Sequence, residues 1–540
     1  MTRRRGWLLV VTLTVVALAA RLLPLHLSPL PFNTDAYVFV SEAEQIRHAN
    51  AVAFTGPTAP YPDEYLFDVL LAAASDVTGV APLYLIQSYV AALGVVPVLV
   101  AAALATRVTR SRPRTVALLT GLGVALEGLY LWRTMTVSSE TMGIAVLAVL
   151  LLTTHRAFLT RRPAWFAIAI PLAALLPIVH NGTTFVGGLV VSVMIVLYAA
   201  RRPTLRRTGV SALAIGGFWT VAFGYYELVD LPQSSRVSAA PALFIAWLAL
   251  AVIAARWLTT ATERVQYAVP LAIVGVGFLA FAYNALNPIF PGSASTSPLL
   301  LALVVPLLVI AAIAARGFPA AATRSGLPLL ALFFGPIAAV GFAMTAGRTI
   351  EYQALATRSQ TFAHLAVVPL AAVAVAAVVH SDRRLTIRAA VAVVFVVAVL
   401  ATVPFPFVVD EATPFKATTT PEEFETAMFA VEYVPERWAG DDHVTLIANR
   451  YRSIGATDLP VFTWLEGGPP PGCPTVGQRS WTTSGAPAYP EKLYISADAY
   501  ERWQTQNDVI YATTGSDPLI IVDSTSDRSC KPLPGLERER

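Results

Sequence analysis

Charge is scarce in this chain. Only 13% of its 540 residues are Asp, Glu, Lys or Arg, roughly half the share of a soluble globular protein. That excludes the string of soluble domains that length alone would suggest. Lysine is nearly missing: it stands only at Lys416, Lys492 and Lys531, and the other cationic side chains are arginine. This bias is compatible with a GC-rich or halophilic source. Cysteine occurs twice, at Cys473 and Cys530, both in the polar C-terminal region. The histidines His26, His48, His155, His364, His380 and His443 are scattered, with no zinc-type spacing. A Walker loop is absent, which argues against an ATP-driven pump. No small-residue cleavage site follows the first apolar run, so Met1–Trp7 and the segment to about Pro24 read as an uncleaved signal-anchor.

What is present is apolar. Hydrophobic residues make up 56% of the chain, and mean hydropathy is +0.61. Beyond the signal-anchor, segments of spanning length lie near 82–106, 114–132, 136–155, 163–180, 183–200, 208–229, 238–258, 267–286, 297–316, 327–346, 361–380 and 386–409. On the ~20-residue criterion the chain is an all-α polytopic membrane protein with about thirteen transmembrane helices. The stretch 64–79 is shorter, carries Asp68 and Asp76, and reads as an amphipathic helix along the interface.

Arginine placement sets the expected topology. Arg3–Arg5, Arg107/Arg110/Arg112/Arg114, Arg156/Arg161/Arg162, Arg201/Arg202/Arg206/Arg207, Arg256/Arg264, Arg316/Arg324 and Arg383/Arg384/Arg388 fall in alternate connections. The intervening connections hold only Arg47, Arg133, Arg236, Arg348 and Arg358. The positive-inside rule then puts the N-terminus in the cytoplasm and the C-terminus outside. The division expected is a transmembrane domain over 1–409, including an outer loop 26–63 and the interfacial helix 64–79, and an extracytoplasmic α/β domain over 410–540. In that tail, Thr420-Pro-Glu-Glu423 is a capping box that opens a helix to about Arg437. Strand-like runs follow at Val444–Ala448, Leu493–Ser496, Val509–Ala512 and Leu519–Val522, with a Gly/Pro loop at 467–472. Outside the cell a Cys473–Cys530 disulfide is expected, two unpaired thiols being the alternative.

The polar residues beside the outer ends of the spans are the candidate chemistry. Pro31-Phe-Asn-Thr-Asp-Ala-Tyr37 and the residues after it carry Asp35, Glu42 and Glu44 just beyond the first span. Arg133 and Glu140 flank the start of another span, and Arg348, Glu351, Tyr352 and Arg358 precede a third. A carboxylate near hydrocarbon is costly to desolvate and calls for a reason. An ionised acid there can take a proton from an acceptor hydroxyl, and arginine beside it can hold a phosphate leaving group. Other polar positions have blander readings. Asp63-Glu64 reads as an exposed charge cluster before the interfacial helix. His180-Asn-Gly-Thr183 is a sequon in a very tight turn, with His180 an interfacial hydrogen-bonder. Glu127 falls inside a span, and its partner is not legible.

Asp35-Ala-Tyr37 after the first span, the helix 64–79, then Asp76-Val-Thr-Gly79-Val-Ala-Pro-Leu-Tyr84 leading into an Ala/Leu-rich span, and Arg133…Glu140 at a span start resemble the GT-C superfamily of polyprenyl-phosphate-dependent glycosyltransferases. The pattern is similar to protein O-mannosyltransferases, aminoarabinose lipid A transferases and archaeal dolichyl-phosphate-mannose transferases. The resemblance covers about residues 1–160. It implies a GT-C fold with the active site at the outer face, Asp35 as general base, and Arg358, Arg133, Glu140, Tyr37 and Arg348 as the substrate-binding set, Arg358 on the donor phosphate. The expected activity is transfer of a single sugar, mannose in the nearest analogy, from a dolichyl- or polyprenyl-phosphate carrier to an outer glycan or glycoprotein, with inversion. In an archaeon the setting would be N-glycosylation of the surface layer.

The departures matter. Ala36 replaces the second acid of an adjacent pair. A Trp-Trp-Asp-Tyr-Gly signature and an acid-x-acid element near Glu140 are both absent. That argues against en bloc oligosaccharide transfer and leaves a divalent metal open but unsupported. Membrane lipids are expected partners and nucleic acid is not. The competing class is a lipid-carrier flippase or secondary transporter, against which stands the clustering of charge at span ends rather than mid-span.

Overall fold

The computed structural model describes residues 3–53, 60–109, 112–434, 437–452, 455–515, 517–524 and 530. The chain forms two compact units, each discontinuous in sequence. One comprises Met1–Leu22, Ala59–Phe67 and Ser88–Pro406; the other comprises Leu23–Thr58, Asp68–Gln87 and Phe407–Arg540.

The first unit is a helical bundle. Among the described residues of the chain, eleven helices are long and apolar enough to cross a membrane, or twelve if one bent pair counts as a span. Two expected segments account for the difference from thirteen. The run 114–132 is two helices, Pro113–Leu126 and Gly128–Met135, bent by 61°. The break is Glu127, whose backbone is extended (φ −64, ψ 121) and whose carboxylate accepts from the N–H of Leu129 and Tyr130 at 3.3 and 3.0 Å. A side-chain acceptor there ends one helix and caps the next. Glu127 also finds the partner that sequence could not name: His364 Nδ1 lies 3.3 Å away. The run 163–180 is a shorter apolar helix, Pro163–Ile178, with Pro171 inside it and a 3-10 turn at Leu176–Ile178.

Burial sorts the bundle. Helices Asn181–Ala200, Leu327–Ala346 and Ile350–Val379 form its interior, whereas Glu263–Leu286 and Leu205–Leu228 expose most of their surface. The exposed residues include Leu213, Val276 and Leu279. Apolar side chains on an outward face suit hydrocarbon, not water. Inner helices approach closely where side chains are small: a Cβ on Gly335 would stand 2.8 Å from the backbone of Val190. Arginines of alternate connections gather at one end. Arg107 feels the charge of Arg156, and Arg201 those of Arg256 and Arg324.

The second unit packs helix Ala36–Ala49 against Asp442–Arg452 and Pro421–Tyr433, with a three-stranded antiparallel sheet. Strands β1 (Thr475–Gln478), β2 (Asp508–Ala512) and β3 (Leu519–Asp523) take the order β1-β3-β2, with Thr475 opposite Val522 and Asp508 opposite Asp523. The capping box forms both bonds, Glu423 N to Thr420 Oγ1 at 3.2 Å and Thr420 N to Glu423 Oε2 at 2.9 Å. Its helix ends at Tyr433, not Arg437, because Val434 turns extended ahead of Pro435. Val444–Ala448, expected as a strand, is helical. The buried set Val444, Ile447, Ala448 and Tyr451 follows helical spacing, and Asp441 accepts from Val444 N at 3.0 Å. Leu493–Ser496 makes only an isolated bridge, Leu493 to Ala486. β1 was not expected; its Gly477 admits the Trp503 ring, which a Cβ would meet at 2.6 Å. Cys473 and Cys530 are joined by a disulfide.

Candidate active site

At the end of the bundle opposite the clustered arginines, the helix starts build a cleft. Ser138 caps Ser139–Thr160 by accepting from Glu140 N at 3.1 Å. Glu140 thus sits in a first turn, where the helix dipole favours a carboxylate, with its side chain only 1% exposed. The chain folds back so that Arg133, at the end of Gly128–Met135, places Nη1 3.5 Å from Glu140 Oε2. The Arg133 guanidinium lies over the Trp132 ring at 4.8 Å. A buried ion pair is weak evidence of stabilisation, so its presence here points to a site that uses charge.

His180 caps the next inner helix, Asn181–Ala200, its Nδ1 accepting from Thr183 N at 3.0 Å. Asn181 donates to Asp63 Oδ2 at 2.5 Å, and Ser139 Oγ donates to Glu64 Oε1 at 2.8 Å. The Asp63-Glu64 pair is therefore not the exposed cluster that sequence suggests. Asp63 is 6% exposed. Both acids precede a helix, as a solvated pair would, but donors from two span starts fold over them. Burial pushes the Asp63 carboxyl up, while its own backbone N–H and Asn181 pull it back in part.

The remaining wall comes from Ile350–Val379. Glu351, Leu355, Arg358 and Phe362 recur at helical spacing and so share one face. Arg236 enters from the short helix Pro232–Ser238. With Glu140 and Asn181 these residues line a cleft of about 210 Å³, whose floor includes Phe185, Val186 and Phe342. Arg236 and Arg358 have no ion-pair partner within 4.0 Å among the described residues, although Glu351 feels the charge of Arg236. Unneutralised guanidinium beside an aromatic floor suits an anion carried on an apolar chain.

The cleft brings together Arg358, Glu140 and, through Glu140, Arg133. Arg348 is exposed between two helices and does not line it. Asp35 and Tyr37 belong to the other unit. Asp35 heads Ala36–Ala49 with its side chain 45% exposed. Its carboxylate accepts from Asn33 Nδ2 at 3.1 Å and pairs with Arg450, which also donates to Thr34 Oγ1 at 2.9 Å. Tyr37 is fully buried, stacked on Phe424 at 5.6 Å and edge-on to Tyr451. Sequence reasoning missed Arg450, because its helix looked like a strand, and Asn181, because it looked only like a sequon. Among the described residues no group of three or more His, Cys, Asp or Glu converges as a metal site requires.

No protein-family model matches the chain, and no curated protein matches it in sequence. Solved structures do match in three dimensions. The archaeal oligosaccharyltransferase AglB from Archaeoglobus fulgidus, in complex with an inhibitory peptide and a dolichol-phosphate, superposes with TM-score 0.51 at 14% identity. The match covers 84% of this chain and 65% of AglB, so the chain spans less than two thirds of that protein's length. ArnT from Cupriavidus metallidurans bound to undecaprenyl phosphate gives TM-score 0.49 at 12% identity, over 97% of this chain and 99% of that one. A likeness at such identity is one of fold. The chain has a GT-C-like fold.

Proposed function

We propose that the protein is an integral-membrane glycosyltransferase that moves one sugar from a polyprenyl-phosphate carrier to an acceptor hydroxyl outside the cell. The observation that carries this reading is the cleft in which Arg358 and Arg236, free of ion pairs among the described residues, face the buried Arg133–Glu140 pair over an aromatic floor. Its chemistry fits a lipid phosphate. That a solved structure of the same fold holds dolichol-phosphate supports the same class of donor here. The arginine-bearing connections gather at the far end of the bundle, which under the positive-inside rule is the cytoplasmic one. The cleft and the C-terminal tail are then extracytoplasmic.

In this reading Arg358 and Arg236 hold the donor phosphate and stabilise the charge that builds on it as the sugar leaves. Glu140 fixes Arg133 beside them. Asp35 is the base: it takes the acceptor proton while the hydroxyl oxygen bonds to the anomeric carbon. The bond from that carbon to the phosphate oxygen breaks, and polyprenyl phosphate departs with the electron pair. A single displacement inverts the anomeric centre. Asn33 and Arg450 set the orientation of the Asp35 carboxylate. Mannose as the sugar and a surface-layer glycoprotein as the acceptor are the candidates that the family resemblance supplies.

The test is Asp35→Asn and, separately, Arg358→Ala in the native host, with mass spectrometry of surface glycoproteins. Each variant, at normal protein level, is expected to leave glycans one sugar short. Unchanged glycans in Asp35→Asn reject the base, and unchanged glycans in both reject the transferase reading.

A further inference from the structure

A second cationic groove lies at the other end of the bundle, where no part of the sugar-transfer reading needs one. It is lined by Arg112, Pro113, Arg114, Thr115 and His380 and encloses about 420 Å³. Arginines at this end are expected from topology alone, and several of them are held by the fold. Arg201 donates to Ala322 O at 2.8 Å, Arg107 to Ala103 O at 3.3 Å and Arg324 to Phe158 O at 3.5 Å. Those around the groove are spent differently. Among the described residues Arg112 Nη1 meets only His380 Nδ1, at 2.7 Å, and no carboxylate, and Thr115 Oγ1 meets the other ring nitrogen at 3.2 Å. Arg114 has no ion pair or hydrogen-bond partner among the described residues, and Arg388 Nε is buried without one.

The backbone adds to the same field. Arg112 is held at φ 58, ψ 55, a left-handed conformation that a non-glycine residue adopts at a cost. It stands at the N-cap of Pro113–Leu126 with no side-chain cap. Pro113 has no N–H, and those of Arg114 and Thr115 fall in the first turn, where the helix itself offers no acceptor. Asp382 is the one carboxylate in the chain between His380 and Arg388, and none occurs from Arg107 to Thr115. Slight burial, then the charges of Arg112 and Arg388, push His380 below its ordinary value, as an uncompensated positive field does.

We propose that this groove binds a phosphate-class anion, with Arg112 and Arg114 as its charged contacts and Thr115 as a hydroxyl donor. Arg388 adds positive charge through its field on His380. Two sources share that chemistry: an anionic phospholipid headgroup at the membrane surface and free phosphate. The full-length protein is placed in nanodiscs of phosphatidylcholine with or without phosphatidylglycerol, and retained lipid is counted by native mass spectrometry after extraction. Wild type is expected to retain phosphatidylglycerol over phosphatidylcholine. Arg112→Gln/Arg114→Gln/Arg388→Gln is expected to weaken that preference by roughly tenfold or more, since each juxtamembrane cation adds to lipid attraction. Arg206→Gln/Arg207→Gln, two arginines at the same end in another connection, should leave it intact. Displacement of the lipid by millimolar inorganic phosphate assigns the site to the phosphate group in general; resistance to displacement assigns it to the lipid. Equal retention in wild type and triple variant overturns the proposal, as does an equal loss in the Arg206/Arg207 control. Arg114→Gln alone, whose side chain has no bond within the fold, gives the same reading should the triple variant not accumulate.

Discussion

Replacing Glu423 by Gln removes one buried charge from the second unit, with one of the two oxygens that accept there. The Glu423 side chain is 1% exposed and pairs with Lys416; His443 Nε2 lies 3.5 Å from it, and Gln478 Nε2 donates at 3.4 Å. Burial by itself raises the pKa of this carboxyl, but His443 and then Lys416 outweigh it and hold the group well below the ordinary range. Gln fills the same place in a capping box, so the bond to Thr420 N survives, while the charge is lost together with the oxygen that accepts from Lys416 and Gln478. Breaking a buried pair by removing one partner costs about 3–5 kcal/mol. Lys416 is 29% exposed and can turn to water, which lowers the expectation to about 2–3 kcal/mol of local stability.

That difference corresponds to amide exchange about 30- to 150-fold faster in peptides covering 421–433 and 442–452 at pH 7. The sign with pH follows from the depressed native pKa. The contribution is complete above the unfolded carboxyl's value of 4.5 and is lost as pH falls through the folded value. Wild-type protection, corrected for intrinsic rates, should therefore decline on acidification below 4.5, while that of the variant stays flatter and the two converge. Hydrogen exchange with mass spectrometry on the full-length protein in detergent reads both effects. An increase below about threefold at pH 7, or equal pH slopes, would refute the electrostatic reasoning.

Three further outcomes are expected. Gly128→Ala sets a Cβ 1.7 Å from the carbonyl oxygen of Thr402, a backbone atom that cannot move aside, so the thermal midpoint in detergent should fall and the cost reach about 3 kcal/mol; an unchanged midpoint contradicts the packing. Cys473→Ser opens a covalent link across a sequence separation of 57, worth about 4 kcal/mol on the chain-entropy account; limited proteolysis should cut the tail of the variant as readily as that of reduced wild type. For Asp63→Asn the sign is opposite to Glu423: burial raises the native pKa, so the carboxyl contributes below its unfolded value and loses that contribution as pH rises through the folded one. The amide that replaces the carboxyl can still accept from Asn181 and carries no charge, so the variant should melt at or above wild type at pH 8 and lose any advantage near pH 4. A variant that is less stable at pH 8 only contradicts the assignment.

The membrane bundle was legible because a span needs a long apolar run and an arginine pattern needs no partner to be read. Where local signals failed, the deciding contact lay far along the chain. The bend at Glu127 is hidden by apolar sequence on both sides, and His364, its partner, stands in another helix. Asp63 carries the local mark of a solvated acid, yet Asn181 and the buried span starts decide its environment. Val444–Ala448 misled because β-branched residues suggested a strand, while the spacing of Val444, Ile447, Ala448 and Tyr451 carried the helix. Glu140, Glu351 and Arg358, which line the cleft, and Arg133, paired with Glu140, were named from their place at span ends. Arg236 was visible only as a connection charge, and Arg450 beside Asp35 had no local sign.

The central claim is that sugar moves from a lipid phosphate to an acceptor, with Arg358 holding that phosphate. Purified protein in liposomes, given radiolabelled polyprenyl-phosphate sugar and an acceptor hydroxyl compound, tests it most directly. The account predicts label on the acceptor, and an Arg358→Ala variant whose KM for the donor rises about 10- to 100-fold, the loss of a charge-assisted contact. Label that crosses the bilayer on its carrier without reaching the acceptor, or an Arg358→Ala variant with wild-type KM and kcat, would contradict it.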